Sequence, residues 1–302
     1  DATTTNSPRV FCLMGPTASG KTDLAIALAQ ERGCELVSVD SALVYRGLDI
    51  GSAKPEYPHH LVDICDPAQP YSAADFVRDA NRAIVQIQAR GNTPLLVGGT
   101  MLYFKALQEG LADLPATDPE IRAEVGEQAA QLGWPAMHEK LRQVDPVTAE
   151  QLHPNHSQRI QRALEVYLSC GEAMSALQAK QVFEPSPFDW LQLALWPDDR
   201  TLLHQRIELR FKAMLANDFL AEVEHLRERF ELDCQMMSMR AVGYRQAWGY
   251  LEGEYAYNEM FLRGIAATRQ LAKRQLTWLR KWPDLVQLEV NFSQPNPLGP
   301  LM

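Results

Sequence analysis

The chain has 302 residues, 46% hydrophobic, 22% charged and 8% aromatic, which is ordinary globular composition with apolar material for one large domain or two smaller ones. No apolar run approaches the ~20 residues that span a bilayer, and "DATTTNSPRV" lacks the basic start and apolar middle of a secretory signal, so the expectation is a cytoplasmic protein with a short loose lead into its first strand and no membrane partner. The net charge of −9 argues against a large nucleic-acid surface but leaves room for a local basic stripe, because steering depends on where charges sit.

"RVFCLMG" is a short apolar run with a glycine exit, followed at once by a helical pattern from Lys21 to Arg32. "CELVSVD" is a second buried strand ending in an acid, and a polar, Pro-rich loop follows through "AKPEYPHHLVD". "SAADFVRDANRAIVQIQARG" is a helix with Ser72 as N-cap and Gly91 as its stop. "TPLLVGGT" is a third strand, which "MLYFKALQEGL" continues as a helix. "DWLQLALWP" and "DLVQLEV" are fourth and fifth strands, separated by a helical stretch from Arg200 to Trp282. Another helical stretch, from "TDPEIRAEV" to about Pro154, lies between the third and fourth strands, and both stretches read as insertions riding on the sheet. Strands alternating with helices predict a parallel α/β sheet. The tail "NFSQPNPLGPLM" reads as loose.

Cys12, Cys34, Cys65, Cys170 and Cys234 form no C-x-x-C pair, so reduced thiols are expected, with neither a zinc site nor a disulfide framework. His59, His60, His153 and His156 lack metal-site partners and read as surface or capping groups.

Gly15-Pro16-Thr17-Ala18-Ser19-Gly20-Lys21-Thr22 fits G-x-x-x-x-G-K-[ST] between a strand and a helix. Such a loop wraps backbone N–H groups round an anion at a helix N-terminus; Lys21 adds a full charge and the Thr22 hydroxyl is placed for Mg²⁺. The pattern specifies a di- or triphosphate and is silent about what is attached to it. ATP-hydrolysing proteins usually hold Mg²⁺ with an acid at the end of a second core strand, yet "LLVGGT" ends without a carboxylate. The acid at a strand end near the loop is Asp40, in "SVDSALVY". It is a cap to the turn with Ser41, a carboxylate holding a metal through water, or a proton acceptor for a substrate's nucleophile, and one group would strain to be both of the last two.

The segments "GPTASGKT", "SVDSALVYRGLDIGSAKP", "LLVGGTMLYFKAL" and "RAVGYRQ", in matching order from about Val10 to Leu288, closely resemble the bacterial tRNA dimethylallyltransferases, the isopentenyl-tRNA transferase family. The resemblance implies an α/β fold, a P-loop NTPase-like parallel sheet core with a helical insertion domain. It also implies transfer of a dimethylallyl group from dimethylallyl diphosphate to the N6 amine of the adenine just 3′ of the anticodon, position 37, in tRNAs reading codons that begin with U. The expected partition is a first core part over 8–115, the insertion over 116–155, the core continued over 156–198, a helical tRNA- and diphosphate-facing segment over 199–261, and a C-terminal core helix and strand over 262–293. A monomer without obligate protein partners is expected. Many family members have D-S-x-Q where this chain has Leu43, which removes an amide contact to the base. Eukaryotic relatives carry a C-terminal zinc finger, and the lack of metal spacing here fits a bacterial form.

On this resemblance Asp40 is the general base. Gly15, Pro16, Thr17, Ala18, Ser19, Gly20, Lys21 and Thr22 hold the diphosphate with Mg²⁺ on Thr22, and Arg210 reaches over it. On the residues alone Arg210 reads equally as a solvated helix arginine sharing a face with Arg206. Thr100 is implied in contact with the target nucleotide; on the residues alone it serves as well to N-cap "MLYFKAL". The implied tRNA contacts are Asp40, Ser41, Ala42, Leu43 and Thr100, then Arg122, then Gln158, Arg159, Ile160, Gln161 and Arg162 in "QRIQR". Arg240, Ala241, Val242, Gly243, Tyr244 and Arg245 in "RAVGYR", and Lys273, Arg274 and Arg280 in "KRQLTWLRKW", complete the set. Each of these three segments also reads as a solvated helix face with an aromatic anchor. Two other classes stay open: a P-loop small-molecule kinase, and a nucleotide-gated RNA-binding protein without chemistry.

Overall fold

The computed structural model describes residues 8–181, 184 and 186–293; the N-terminal lead over 1–7 and most of the Pro-rich tail, over 294–302, lie outside the described residues. The elements in chain order are β1 (Arg9–Met14), α1 (Lys21–Arg32), β2 (Cys34–Val39), β3 (His59–His60), α2 (Ala73–Ala89), β4 (Thr93–Gly98) and α3 (Met101–Glu109). There follow α4 (Pro119–Leu132), α5 (Trp134–Val144), α6 (Pro146–Gln151), α7 (Ser157–Cys170), α8 (Met174–Ala179) and β5 (Asp189–Pro197). The chain ends with α9 (Arg200–Ala216), α10 (Phe219–Arg229), α11 (Tyr244–Leu251), α12 (Tyr257–Arg280) and β6 (Leu285–Val290).

One sheet has the order β3-β2-β4-β1-β5-β6, and every pairing in it is parallel. β1 shows why such a sheet needs cover on both faces. Val10, Cys12 and Met14 enter one apolar cluster with Phe76, Ile84 and Phe104, while Leu13 enters another with Leu24, Ala25 and Ala29 of α1. The chain lies on one side of β1 for β2 to β4 and on the other for β5 and β6, so the order reverses at the β1 end where the phosphate loop begins.

All five expected strands form. The sixth is His59–His60, paired with Leu36 and Val37 at the sheet edge. Two residues inside a Pro-rich loop carry no alternation from which a strand can be read. His60 Nε2 meets Glu35 Oε1 at 2.9 Å, while His153 Nδ1 and His156 Nδ1 accept turn N–H groups. The α2 start is as expected: Ser72 and Asp75 form a reciprocal capping box. The five cysteines are free, and among the described residues no helix is long and apolar enough to cross a membrane.

The chain divides into two compact units, 109–185 and the remainder. The helical unit thus extends past the expected insertion limits of 116–155 and takes in most of the stretch expected as continued core, 156–198. Ile160, Ala163 and Leu164 of α7 share one apolar cluster with Val125 of α4 and Leu141 of α5, so α7 belongs with the helical unit. α9 to α12 belong with the sheet, where Leu203, Ile207, Ala272 and Leu276 pack with Ala18. An apolar helix stripe tells that a face is buried and not which core buries it. Inside the helical unit, buried Asp145 accepts from the N–H and hydroxyl of both Thr148 and Ser175.

Candidate active site

After Met14 the chain wraps through Gly15–Gly20 into α1. Gly20 stands at φ 88°, ψ 11°, which a side chain would resist, and Ala18 is held at φ 64°, a conformation that costs an L residue about 1–2 kcal/mol. Contacts from α9 and α12 hold this turn. Arg206 Nε donates to the Ala18 carbonyl at 2.9 Å, Arg210 Nη1 donates to Thr17 Oγ1 at 3.5 Å, and Thr17 N donates to Gln275 Oε1 at 2.9 Å. Lys21 Nζ folds back onto the Pro16 carbonyl at 3.2 Å. Buried Ser19 Oγ has no hydrogen-bond partner among the described residues. A buried hydroxyl left open inside an anion loop has its donor still to place.

The charges of this site sit out of water. Burial pushes the Lys21 ammonium down to about 8, with Arg210 adding to the fall and Asp40 opposing it. Burial also lowers Arg210, against the attraction of Asp40. Two cations and one carboxylate therefore feel one another directly.

Asp40 follows β2. Its Oδ1 accepts from Ala42 N at 2.7 Å and Leu43 N at 3.1 Å, so half of the carboxylate caps the turn. The described residues give Oδ2 no hydrogen bond, which leaves it for a substrate. Thr100 does not spend its hydroxyl on α3; Oγ1 accepts from Ser41 N at 3.0 Å, tying the β4 exit to the β2 exit. The Gly98–Gly99 pair makes this approach possible. A Cβ at Gly98 would lie 2.0 Å from the Val39 carbonyl oxygen, and one at Gly99 would lie 2.4 Å from Gln275 Nε2 and 3.0 Å from the Gly15 carbonyl oxygen.

Beside Arg210 opens a cavity of about 630 Å³, walled by Ile50, Ala53, Pro55, Ala213 and Met214, with Asp49, Lys54, Glu56 and Asn217. Lys54 is tied to Asp49 and Asp63. Glu222 of α10 clamps the loop that forms this wall: it accepts from Asp49 N at 3.0 Å, Ile50 N at 2.7 Å and Gly51 N at 3.3 Å, and from the Tyr244 hydroxyl at 2.7 Å.

The expected RNA-facing residues divide. Lys273, Arg274, Arg280, Arg245 and Ser41 are exposed, while Arg240, Ala241, Val242 and Ala42 are half-buried. Gly243 is a buried turn with φ 86°. Tyr244 and Leu43 are buried, and the Tyr244 hydroxyl is spent on Glu222, which corrects their expected placement at an RNA face. Within the helical unit Gln158 and Arg159 are exposed, whereas Ile160 is fully buried, a further correction. Gln161 Nε2 donates to the Arg122 carbonyl at 3.3 Å, and Arg162 Nη2 donates to the Pro115 carbonyl at 2.7 Å. Arg122 Nη1 reaches buried Glu165 at 3.4 Å; burial pushes the Glu165 carboxyl up, and Arg122 and Arg162 oppose that rise.

Three polar residues of this architecture escaped the sequence reading, and a fourth was seen without its contact. Glu222 and Glu165 carry no local signal. Gln275 stands in "KRQLTWLRKW", a segment read for its cations and aromatics, and Arg206 was seen as the partner of Arg210 without its carbonyl contact. Among the described residues no group of three or more His, Cys, Asp or Glu side chains is placed to hold a metal.

Comparisons with known proteins place the chain in a family. The family model described as IPP transferase matches residues 43–282, and that described as isopentenyl transferase matches 8–61. A tRNA dimethylallyltransferase of Coxiella burnetii is 54% identical over 284 residues, covering 92% of this chain and 91% of its own. Among solved structures, the full-length tRNA isopentenylpyrophosphate transferase of Bacillus halodurans matches with a TM-score of 0.68 and 35% identity, over 95% of this chain and 92% of that one. A eukaryotic dimethylallyltransferase acting on tRNA matches with a TM-score of 0.78 and 27% identity, over 98% of this chain and 77% of that one. The phosphate loop, the Asp40 turn and the Gly-Gly strand exit thus stand in a chain that belongs to the IPP transferase family, the tRNA dimethylallyltransferases.

Proposed function

We propose that this protein transfers the dimethylallyl group of dimethylallyl diphosphate to N6 of the adenine 3′-adjacent to the anticodon, position 37, in tRNAs reading codons that begin with U. The observation that carries the proposal is the convergence of Lys21, Arg210, Asp40 and Thr100 where β1, β2 and β4 end. The donor's diphosphate lies on the loop from Gly15 to Thr22 and meets Lys21, Arg210 and the open Ser19 hydroxyl. Its short apolar chain suits the cavity wall of Ile50, Ala53, Pro55, Ala213 and Met214. The apolar side of that cavity, with Arg210 at its edge, suits the two halves of a prenyl diphosphate.

An adenine amine is a weak nucleophile, because its lone pair is delocalised into the ring. As N6 bonds to the allylic carbon, the carbon–oxygen bond to the diphosphate breaks and its electron pair leaves with pyrophosphate. The amine proton passes to Asp40 Oδ2, and Thr100 keeps the base beside it. Charge grows on the leaving group in the transition state, so donors already aimed at it act where they lower the barrier. The Thr22 hydroxyl would hold Mg²⁺, a cation that favours hard oxygen ligands, and the ion would neutralise charge on the departing diphosphate. The base reaches Asp40 only after leaving the anticodon-loop stack. The exposed cations Arg159, Arg245, Lys273, Arg274 and Arg280 are the proposed grips on the RNA, with Arg122 and Arg162 held ready by Glu165. We also assign the protein to the cytoplasm as a monomer, which sedimentation of the purified chain tests.

Labelled dimethylallyl diphosphate incubated with unmodified tRNA, without ATP, should place label in the RNA. No label together with brisk ATP turnover would instead support a small-molecule kinase. Asp40→Asn should keep tRNA affinity within about threefold and lose at least about 100-fold in turnover. Equal collapse of tRNA binding would show that the carboxylate recognises substrate more than it takes the proton, and tRNA binding without any product in the wild type would favour a pure RNA-binding protein.

A further inference from the structure

We infer that Gln275, on α12, is a positioning residue that sets the distance between the leaving-group cradle and the proton-accepting side of the site. The inference rests on the transferase reading above. Its side chain is 7% exposed and both ends of its amide are used. Oε1 accepts from Thr17 N in the phosphate loop at 2.9 Å, and Nε2 donates to the Gly99 carbonyl at 3.0 Å. The amide orientation is forced, because a backbone N–H needs an acceptor and a carbonyl needs a donor. Neighbouring Ala272 and Leu276 pack with Leu203, Ile207 and Ala18, so the amide works in apolar surroundings where an unpaired group is costly.

The two bonded groups lie on opposite sides of the chemistry. Thr17 belongs to the loop that takes the diphosphate. Gly99 immediately precedes Thr100, whose hydroxyl accepts from Ser41 N, the residue after Asp40. One side chain therefore spans from cradle to proton acceptor, and no side chain at Gly99 leaves room for it, since a Cβ there would sit 2.4 Å from Nε2. Substitution at an allylic carbon places the attacking nitrogen and the departing oxygen on either side of that carbon, so the spacing of their protein partners sets the rate. Gln275 touches neither reacting group; it acts through Thr17 and Thr100.

Gln275→Leu keeps size and removes both bonds. In steady-state assays on the full chain, normalised to folded protein, the expected result is a fall in kcat of about 10–100-fold, the penalty of a displacement near 1 Å. The KM for tRNA and the tRNA Kd should stay within about threefold, because no RNA contact is altered. Gln275→Glu supplies a second readout. Its carboxyl accepts and donates as the amide does only while protonated, so its kcat relative to wild type should climb as pH falls, a trend that a bland packing role does not produce. Wild-type kcat per folded Gln275→Leu molecule overturns the inference, as does a loss confined to the KM for tRNA. If Gln275→Leu does not fold, the Gln275→Glu profile decides, and a flat ratio to wild type across pH rejects the idea. A wild type that makes no prenylated tRNA would instead reject the transferase reading itself.

Discussion

Lys21→Met tests whether the unliganded site stores electrostatic strain. The Lys21 ammonium falls from the ordinary lysine value to about 8, first through burial and then through Arg210. Below about pH 8 both the folded and the unfolded chain hold this proton, and the folded chain bears the whole desolvation penalty. As pH rises through 8, the folded chain sheds the proton while the unfolded chain keeps it to about 10.4, so the wild type recovers stability that the neutral variant never lost. Linkage over that interval gives a recovery of about 2 kcal/mol between about pH 7 and about pH 9.5. Met also removes the bond to the Pro16 carbonyl, a loss of similar size at every pH, so the informative quantity is the pH trend and not the absolute difference. Paired urea denaturations of wild type and variant at four pH values measure it. The stability of Lys21→Met minus that of wild type should fall by about 2 kcal/mol across the range. A difference that stays level within about 0.5 kcal/mol would refute a desolvated ammonium.

The same proton should appear in ligand binding: pyrophosphate beside Lys21 restores its charge, so above about pH 8 binding takes up close to one proton. Calorimetric enthalpies that do not vary with the buffer's heat of ionisation would contradict this. Gly98→Ala sets a methyl 2.0 Å from the Val39 carbonyl oxygen and 2.6 Å from its carbonyl carbon, so a loss of about 3 kcal/mol or more is expected in denaturation; a variant as stable as wild type would show that the strand exits can part. Glu222→Gln turns one of the clamp's acceptors into a donor facing N–H groups, with an expected loss of about 2 kcal/mol and a raised KM for the prenyl donor. An unchanged donor KM would separate the clamped loop from the donor's cavity.

Legibility followed the range of the interactions. β1, the phosphate loop and α1 were readable because a strand, a turn with glycine at its special conformation and a helix start are each specified within a few residues. The Ser72 cap was readable for the same reason. The function was implied by a family resemblance carried by four such local segments, of which "SVDSALVYRGLDIGSAKP" and "LLVGGTMLYFKAL" follow strand exits, where a parallel sheet gathers ligands; the residues alone left Asp40 as a cap, a metal holder or a base. Partners across the chain were not readable. "QRIQR" looked like a cationic helix face, yet Ile160 is core and Arg162 is turned to Pro115. "RAVGYRQ" looked like a tRNA-gripping segment, yet Tyr244 is an internal prop for Glu222. In both segments a period of 3.6 assigns faces and says nothing about which face meets which neighbour.

The contacts that give the phosphate loop its meaning span the longest separations. Arg206, Arg210 and Gln275 reach Ala18 and Thr17 across 188, 193 and 258 residues. The motif alone makes a generic anion cradle, because its N–H groups and Lys21 serve any diphosphate equally. On the proposed reading, what discriminates between ligands comes from elsewhere: Arg210, Ala213 and Met214 of α9 line the cavity together with Ile50 and Pro55 of the Glu222-clamped loop. A prenyl chain and a nucleoside differ in that wall and not in the cradle. In the proposed site the local residues therefore specify the diphosphate half of the ligand, and helices folded back from the far end of the chain supply the apolar contacts for its other half.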